Sequence, residues 1–134
     1  MEAQEENVEV KERLKKLDRI LDALRDSWVL AEGQKDRKAL GGLGIRKVLT
    51  ISGNLRASCA ALGRENADKA YVLSDLDRRG DELAIRARDE LGSHSIVADT
   101  GTRLELAHLL RIRHFEDAMR AYDKLKEEMT EEGE

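Results

Sequence analysis

Hydrophobic and polar residues alternate along the chain with two different periods, and these periods divide it into helices and strands. Apolar residues recur every three or four positions from Val10 to Leu24, which predicts an amphipathic first helix over residues 4–25. Short apolar runs bounded by polar residues follow, and such runs predict buried strands. Four of them end near Ala31, Ile51, Leu73 and Ala98.

Helical segments separate these strands, and we expect them over residues 35–40, 55–62, 80–91, 102–111 and 115–129. Strands that alternate with helices predict a parallel sheet with right-handed crossovers, covered by helices on both faces. The sequence therefore predicts one α/β domain with a Rossmann-like sheet of about four parallel strands over residues 27–100. An N-terminal helix with an acidic tail is expected over residues 1–26, and C-terminal helices with an acidic tail over residues 101–134.

Acidic residues directly follow two of the predicted strands. Asp75 and Asp77 come after the apolar run that ends at Leu73, and Glu32 comes after the run that ends at Ala31. In extended backbone, residues two apart point the same way, so both aspartates can face one divalent cation. If the first and third strands are neighbours, their carboxyl ends bring Glu32 to the same crevice. A solvated acidic pair on the surface is the alternative.

The two acidic motifs together resemble those of a known domain. Glu32-Gly33-x-x-Asp36 after one strand and Asp75-x-Asp77-x-x-Gly80 after a later strand are similar to the signature motifs of the toprim domain, shared by topoisomerases, primases and several nucleases. The whole chain is most similar to small archaeal stand-alone toprim proteins. These are described as small primase-like and are akin to the toprim part of the nuclease that matures 5S ribosomal RNA.

The resemblance implies a fold, a cofactor and residue roles. It implies a toprim fold over residues 27–100, with Asp75 and Asp77 as ligands of Mg²⁺ or Mn²⁺ and Glu32 as general acid or base, or as an added ligand. One departure matters, because topoisomerases commonly carry a third acidic residue at the position of Arg79. We therefore do not expect topoisomerase or primase activity from this chain alone.

Several residues near the motifs have two interpretations. Lys35 and Arg78 are candidates for phosphate contact or for surface ion pairs. Gly33 and Gly80 either allow close backbone approach or simply form turns. Asp36 is a possible supporting residue of the site.

Three other features lie further from the motifs. Asp99 could reach the crevice, but capping of the helix that begins near Thr102 is favoured. The turn at residues 52–54 could offer backbone N–H groups to a phosphate. The histidines have no metal-ligand spacing with the lone cysteine, so His94, His108 and His114 are interpreted as structural or surface residues.

Charge is unevenly distributed along the chain. All 24 basic residues lie between Val10 and Lys126, whereas nine of the 28 acidic residues lie outside that range, so this middle part has a net charge of +5. A mildly basic body with few aromatic residues predicts weak, salt-sensitive binding of RNA or DNA rather than base-specific recognition.

We expect Mg²⁺-dependent, nuclease-like chemistry on phosphodiester bonds of RNA or DNA. A non-catalytic binding or scaffold module of an RNA-processing or replication assembly is the alternative, and it would have protein partners. Transfer of a phosphate group to or from a small molecule is a third hypothesis. The sequence shows no membrane-spanning stretch and no signal peptide, so we expect a cytoplasmic location and no membrane partner.

Overall fold

Helices and strands alternate along the chain in the predicted order. The structure is a computed structural model that describes residues 2–132, with the side chains of residues 8–130. The strands are β1 (Trp28–Ala31), β2 (Val48–Thr50), β3 (Lys69–Leu73) and β4 (Val97–Asp99). The α-helices are α1 (Glu2–Arg25), α2 (Gln34–Gly42), α3 (Leu55–Arg64), α4 (Arg78–Ser93), α5 (Thr102–Leu110) and α6 (Ala118–Glu132), with a 3₁₀ turn over Phe115–Asp117.

The four strands form one parallel sheet in the order β2-β1-β3-β4. Leu30 in β1 pairs with Leu49 on one side and Val72 on the other. The chain therefore runs outward from β1 to β2 and then returns to the other side of β1 for β3. At such a switch point the connections after β1 and β3 diverge and leave a crevice at the carboxyl end of the sheet. The predicted α/β class, with helices around a four-stranded parallel sheet, is confirmed.

Successive residues of the central strands point to opposite faces, and each face packs against its own helices. Val29 and Ala31 belong to a buried cluster with residues of α1, α2, α5 and α6, whereas Leu30 belongs to a second cluster with residues of α3 and α4. The largest fully buried side chain, Phe115, lies in the first cluster. The sheet is thus the middle of three layers.

The terminal helices are part of this core. Leu17, Leu21 and Leu24 of α1 are fully buried in the first cluster, which confirms the amphipathic first helix. The hydroxyl of Tyr122 in α6 donates a hydrogen bond of 2.7 Å to Asp18 Oδ1 in α1. Residues from all three predicted segments therefore meet in the first cluster.

The acidic ends lie largely within helices. α1 begins at Glu2 and α6 extends to Glu132, so much of each expected tail has helical backbone. Met1, Gly133 and Glu134, the outermost residues of the predicted tails, lie outside the described residues. Across residues 2–132, none of the helices combines the length and apolar character that crossing a bilayer requires.

Candidate metal centre

The connection between β3 and α4 carries both aspartates of the second motif. Asp77 is the N-cap of α4, and its Oδ1 accepts a hydrogen bond of 2.7 Å from the backbone N–H of Gly80. This cap starts the helix at Arg78, two residues before the predicted start. Asp75 Oδ1 accepts a hydrogen bond of 2.9 Å from the backbone N–H of Phe115. These two bonds fix the orientation of both carboxylates.

His114 joins the two aspartates, which the sequence did not predict. Its Nδ1 lies 3.4 Å from Asp75 Oδ2. One potential ligand atom from each of Asp75, Asp77 and His114 lies within 4.8 Å of the other two. We call these three residues the Asp-Asp-His cluster. The half-exposed side chain agrees with the interpretation of His114 as a surface residue, and its position facing the aspartates adds His114 as a candidate ligand.

Hydrogen bonds from the C-terminal part of the chain hold this connection in place. The backbone N–H of Leu76 donates to the carbonyl of Arg113 at 2.7 Å, which brings His114 beside Asp75. Arg103 in α5 is buried and donates to the carbonyl of Ser74 at 2.9 Å and to Asp81 Oδ1 at 2.7 Å. The site therefore includes residues beyond position 100, the predicted end of the toprim segment.

Glu32 lies beside the cluster, as predicted. Its Oε1 accepts a hydrogen bond of 3.1 Å from the backbone N–H of Asp75. Burial raises the pKa of Glu32 above its ordinary value, the hydrogen bond from Asp75 opposes this, and the negative charges of Asp75 and Asp77 raise the pKa further. A carboxyl group with a raised pKa is suited to exchange protons closer to neutral pH.

Asp36 supports the start of α2. It is buried, and its Oδ2 accepts a hydrogen bond of 3.0 Å from the backbone N–H of Gly33, the N-cap of the helix. Burial raises the pKa of Asp36, and the hydrogen bond from Gly33 partly opposes this shift. Asp36 therefore orients the segment that carries Glu32.

The two motif glycines differ in their surroundings. A Cβ atom at position 80 would overlap the carbonyl oxygen of Asp75 and would stand 2.6 Å from the carbonyl carbon. At position 33 the backbone is extended and a Cβ atom would meet no neighbouring atom within 4 Å. Close backbone approach therefore explains why glycine is needed at position 80. At position 33 there is no such approach, and Gly33 serves only in the bend that leads into α2.

The structure places the remaining predicted site residues outside the Asp-Asp-His cluster. Arg78 is almost fully exposed and makes the surface ion pair with Glu82, at 3.5 Å, that was its alternative interpretation. Lys35 lines a shallow cavity with Lys38 and Arg120, together with acidic residues of the 3₁₀ turn and α6. Asp99 Oδ1 accepts a hydrogen bond of 2.8 Å from the backbone N–H of Thr102, so it contacts the start of α5 as the favoured interpretation expected, while Gly101 is the N-cap residue.

A basic cavity also adjoins Glu32. It has a volume of about 240 Å³ and lies between the start of α3 and one face of α4. Arg79, Arg86 and the turn at residues 52–54 contribute to its lining. A larger cavity of about 860 Å³ lies between α1 and α5, and its lining includes Leu76 and Arg113, the sequence neighbours of Asp75 and His114.

Comparisons with known proteins identify relatives of the chain. No family model matches. A solved structure of a protein from Aquifex aeolicus is similar with a TM-score of 0.64 and 26% sequence identity, over 75% of this chain and 93% of that one. A likeness to the Exodeoxyribonuclease 7 large subunit of Caulobacter vibrioides, 35% identical, spans 58% of this chain but only 15% of that protein.

Similarity over almost the whole length is found with the UPF0292 protein of Pyrococcus horikoshii. The two sequences are 32% identical over 115 residues, which is 83% of this chain and 87% of the relative. The aligned part is long enough to hold the sheet and most of its helices. The chain therefore belongs to the UPF0292 family.

Proposed function

We propose that this protein is a toprim-like, divalent-cation-dependent enzyme that hydrolyses phosphodiester bonds of RNA or DNA in the cytoplasm. The observation that carries the proposal is the hydrogen bond of 3.1 Å between Glu32 Oε1 and the backbone N–H of Asp75. This bond places Glu32, a candidate proton-transfer group that follows β1, beside the Asp-Asp-His cluster. The residues of the cluster follow β3 and α5. Proton transfer beside a cation site is the combination that phosphodiester cleavage needs.

The donor set of the cluster fits a divalent cation. Carboxylate oxygens suit Mg²⁺ and Mn²⁺, and an imidazole nitrogen favours transition metals over Mg²⁺. Asp75 and Asp77 each use one oxygen for a backbone N–H, which leaves a second oxygen as ligand. We therefore propose Mn²⁺ as the preferred ion and Mg²⁺ as the alternative. When bound, such an ion supplies stabilisation of the negative charge that develops on a phosphate.

The protein residues have separate roles in this proposal. Asp75, Asp77 and His114 hold the cation, while Glu32 holds or accepts the proton that moves during cleavage. Arg103 and Gly80 position the backbone of Asp75, and Asp36 positions the segment of Glu32. The proposal depends on this arrangement and not on the short likeness to an exodeoxyribonuclease subunit.

A binding or scaffold module is the second candidate, and one observation favours it. Both aspartates already accept backbone hydrogen bonds, and Asp75 also faces His114. The protein itself thus supplies hydrogen-bond donors to the carboxylates of the cluster. The cluster could therefore stabilise the fold or bind a partner. In that case the protein would bind nucleic acid, or a protein of an RNA-processing or replication assembly, without cleaving it.

Substitution of Glu32 by Gln separates the two candidates. Purified protein is incubated with Mn²⁺ or Mg²⁺ and a panel of structured RNA and DNA. If the protein is a nuclease, Glu32→Gln should reduce cleavage by about a hundredfold or more, the scale of losing a general acid or base, with binding kept. Glu82→Gln, an exposed change on α4, is the matched control. Absence of cleavage by the wild type on every substrate would favour the scaffold.

A further inference from the structure

Two arginines of α4 differ from the other two in their surroundings. Arg78 and Arg88 each pair with an acidic residue of the same helix, at 3.5 and 3.7 Å. Among residues 8–130, whose side chains the structure describes, no carboxylate lies within ion-pair distance of Arg79 or Arg86. Within that described part, neither guanidinium group therefore has an ion-pair partner, although Glu32 lines the same cavity.

Both of these arginines line the cavity beside Glu32. They are seven positions apart, about two helical turns, so they lie on the same face of α4. Leu83 lies between them on that face and packs against the second core cluster. This packing fixes that face of the helix against the core, and the two exposed arginines line a cavity of about 240 Å³ beside it.

The opposite wall of the cavity is the beginning of α3. Gly53 has a positive φ of 88°, a conformation that favours glycine, and it turns the chain from β2 into this helix. Asn54 Oδ1 accepts the N–H of Ala57 at 3.0 Å. The preceding N–H groups at the start of a helix have no acceptor within the helix. Asn54 and Leu55 line the cavity, so their N–H groups are candidate donors to an anion there.

We propose that this cavity, between Arg79, Arg86 and the turn at residues 52–54, is a subsite that binds a phosphate group of the nucleic-acid strand. The inference rests on the proposed function, because that function identifies the phosphate as part of a phosphodiester chain. Paired guanidinium donors and helix N–H groups match the oxygens of one phosphate. The described lining contains one carboxylate against two arginines, so its charge favours an anion.

Glu32 connects this subsite to the Asp-Asp-His cluster. The same side chain lines the cavity and accepts the N–H of Asp75. One strand could thus place a phosphate at the cluster and a neighbouring phosphate in the cavity. Holding a second phosphate would fix the register of the strand without reading its bases.

Titration with inorganic phosphate tests the subsite without requiring cleavage. Backbone amide signals are followed by ¹H–¹⁵N NMR in the wild type, in Arg79→Gln/Arg86→Gln and in the control Arg78→Gln/Arg88→Gln. Both double variants lose the same charge from the same helix. We expect phosphate to shift the signals of residues 53–55 in the wild type. The dissociation constant should rise at least about tenfold in the cavity variant and stay within about twofold in the control.

Two results would overturn the subsite. One is equal phosphate affinity in the cavity variant and the wild type, and the other is an equal loss in both double variants. Titration of the same samples with Mn²⁺ shows whether a failure concerns the proposed cation site or the cavity. Unchanged Mn²⁺ affinity in the cavity variant, together with lost phosphate affinity, would support a local subsite. Failure of the wild type to bind Mn²⁺ would contradict the proposed cation site while the phosphate titration still decides the cavity.

Discussion

The guanidinium group of Arg103 donates a hydrogen bond of 2.7 Å to the backbone carbonyl oxygen of Asp75. Arg103 is only 4% exposed, so this charged hydrogen bond forms away from bulk water, where it is strongest. The same group also reaches Ser74 and Asp81. Arg103 therefore fixes the backbone from which the carboxylate of Asp75 reaches the cation site.

Substitution of Arg103 should weaken both stability and cation binding. Lysine keeps the charge at this position. It lacks the planar guanidinium group whose donors reach three acceptors. We expect Arg103→Lys to lower the free energy of unfolding by about 3 kcal/mol, the scale of losing charged hydrogen bonds in a buried setting. Urea denaturation measures the change. Asp81→Asn, which removes only the negative charge of the exposed partner, should cost less than about 1 kcal/mol.

Gly80 offers a second test of how the backbone of Asp75 is held. A methyl group at position 80 would overlap the Asp75 carbonyl, which cannot move freely because Arg103 binds it. We expect Gly80→Ala to lower the free energy of unfolding by about 1–3 kcal/mol through overpacking. Its cation affinity should also fall, because the aspartates would shift.

Gly92, in the last turns of the same helix, is the control for this change. A Cβ atom there would meet no neighbouring atom within 4 Å. Alanine is the better helix former, so Gly92→Ala should be neutral or stabilise by up to about 1 kcal/mol. Similar thermal denaturation of the two variants would contradict the role assigned to Gly80.

The parts of the site that the sequence predicted follow from strand geometry. Asp75 and Asp77 lie in the connection that follows β3, and Glu32 immediately follows β1. Pairing of Leu30 with Val72 makes these strands neighbours, so their carboxyl ends meet. The contact between Glu32 and Asp75 could therefore be predicted from the strand order alone.

The parts that the sequence did not predict depend on packing between distant segments. His114 follows α5 in a connection without hydrophobic periodicity, and it reaches Asp75 because Leu76 and Arg113 pair through their backbones. Arg103 did leave a signal. It occupies one position of the buried stripe that continues with Leu106, Ala107 and Leu110, and an arginine within an apolar stripe indicates buried polar partners.

Cation binding should raise the thermal stability of the protein, because clustered carboxylates repel one another until an ion neutralises them. We expect a rise in Tm with Mn²⁺ and a smaller rise with Mg²⁺, since imidazole is a better ligand for the transition metal. Asp75→Asn/Asp77→Asn should abolish both rises. An equal response of this double variant and the wild type would place the ion elsewhere.

Substitution of His114 tests whether it is a ligand. His114→Gln should weaken Mn²⁺ binding by at least about tenfold, with a smaller effect on Mg²⁺. His108→Gln, at an exposed position in the last turn of α5, should leave both affinities unchanged. Isothermal titration calorimetry measures both ions. Equal affinities in His114→Gln and the wild type would limit the cation ligands to the aspartates.

The metal-free protein should show a pH dependence that comes from His114. The contact with Asp75 raises the pKa of His114 above its ordinary value of 6.5, and the charges of Asp75 and Asp77 contribute in the same direction. A raised pKa means that the protonated form stabilises the fold below pH 6.5, and that this contribution is lost as pH rises through the higher folded pKa.

We therefore expect the difference in Tm between the wild type and His114→Gln, both in EDTA, to be largest below pH 6.5 and to shrink above it. Mn²⁺ affinity should change in the opposite direction, because the imidazole must lose its proton before it binds a cation. A Tm difference that stays constant from acidic to alkaline pH would show that His114 and Asp75 do not interact in solution.

Nucleic-acid binding should depend on charge more than on base stacking. Phe115 is fully buried, and Trp28, Tyr71 and Tyr122 are partly buried, so the four aromatic residues form no exposed stacking surface. Lysine side chains also cover the rings of Trp28 and Tyr71, at 5.2 and 4.5 Å. The affinity for single-stranded RNA or DNA should thus fall steeply with salt and vary little with base composition.

The acidic ends should weaken this binding by repelling the phosphate backbone. Charge substitution is a cleaner test than deletion, because Glu9 pairs with Arg111 at 3.3 Å and Met129 packs against the core. We expect a variant with glutamine at positions 2, 5, 6, 131 and 132 to bind a labelled oligonucleotide more tightly in low salt. The gain should disappear in high salt, where such charges are screened. Fluorescence anisotropy measures both conditions, and equal affinities of the variant and the wild type in low salt would show that the acidic ends do not influence binding.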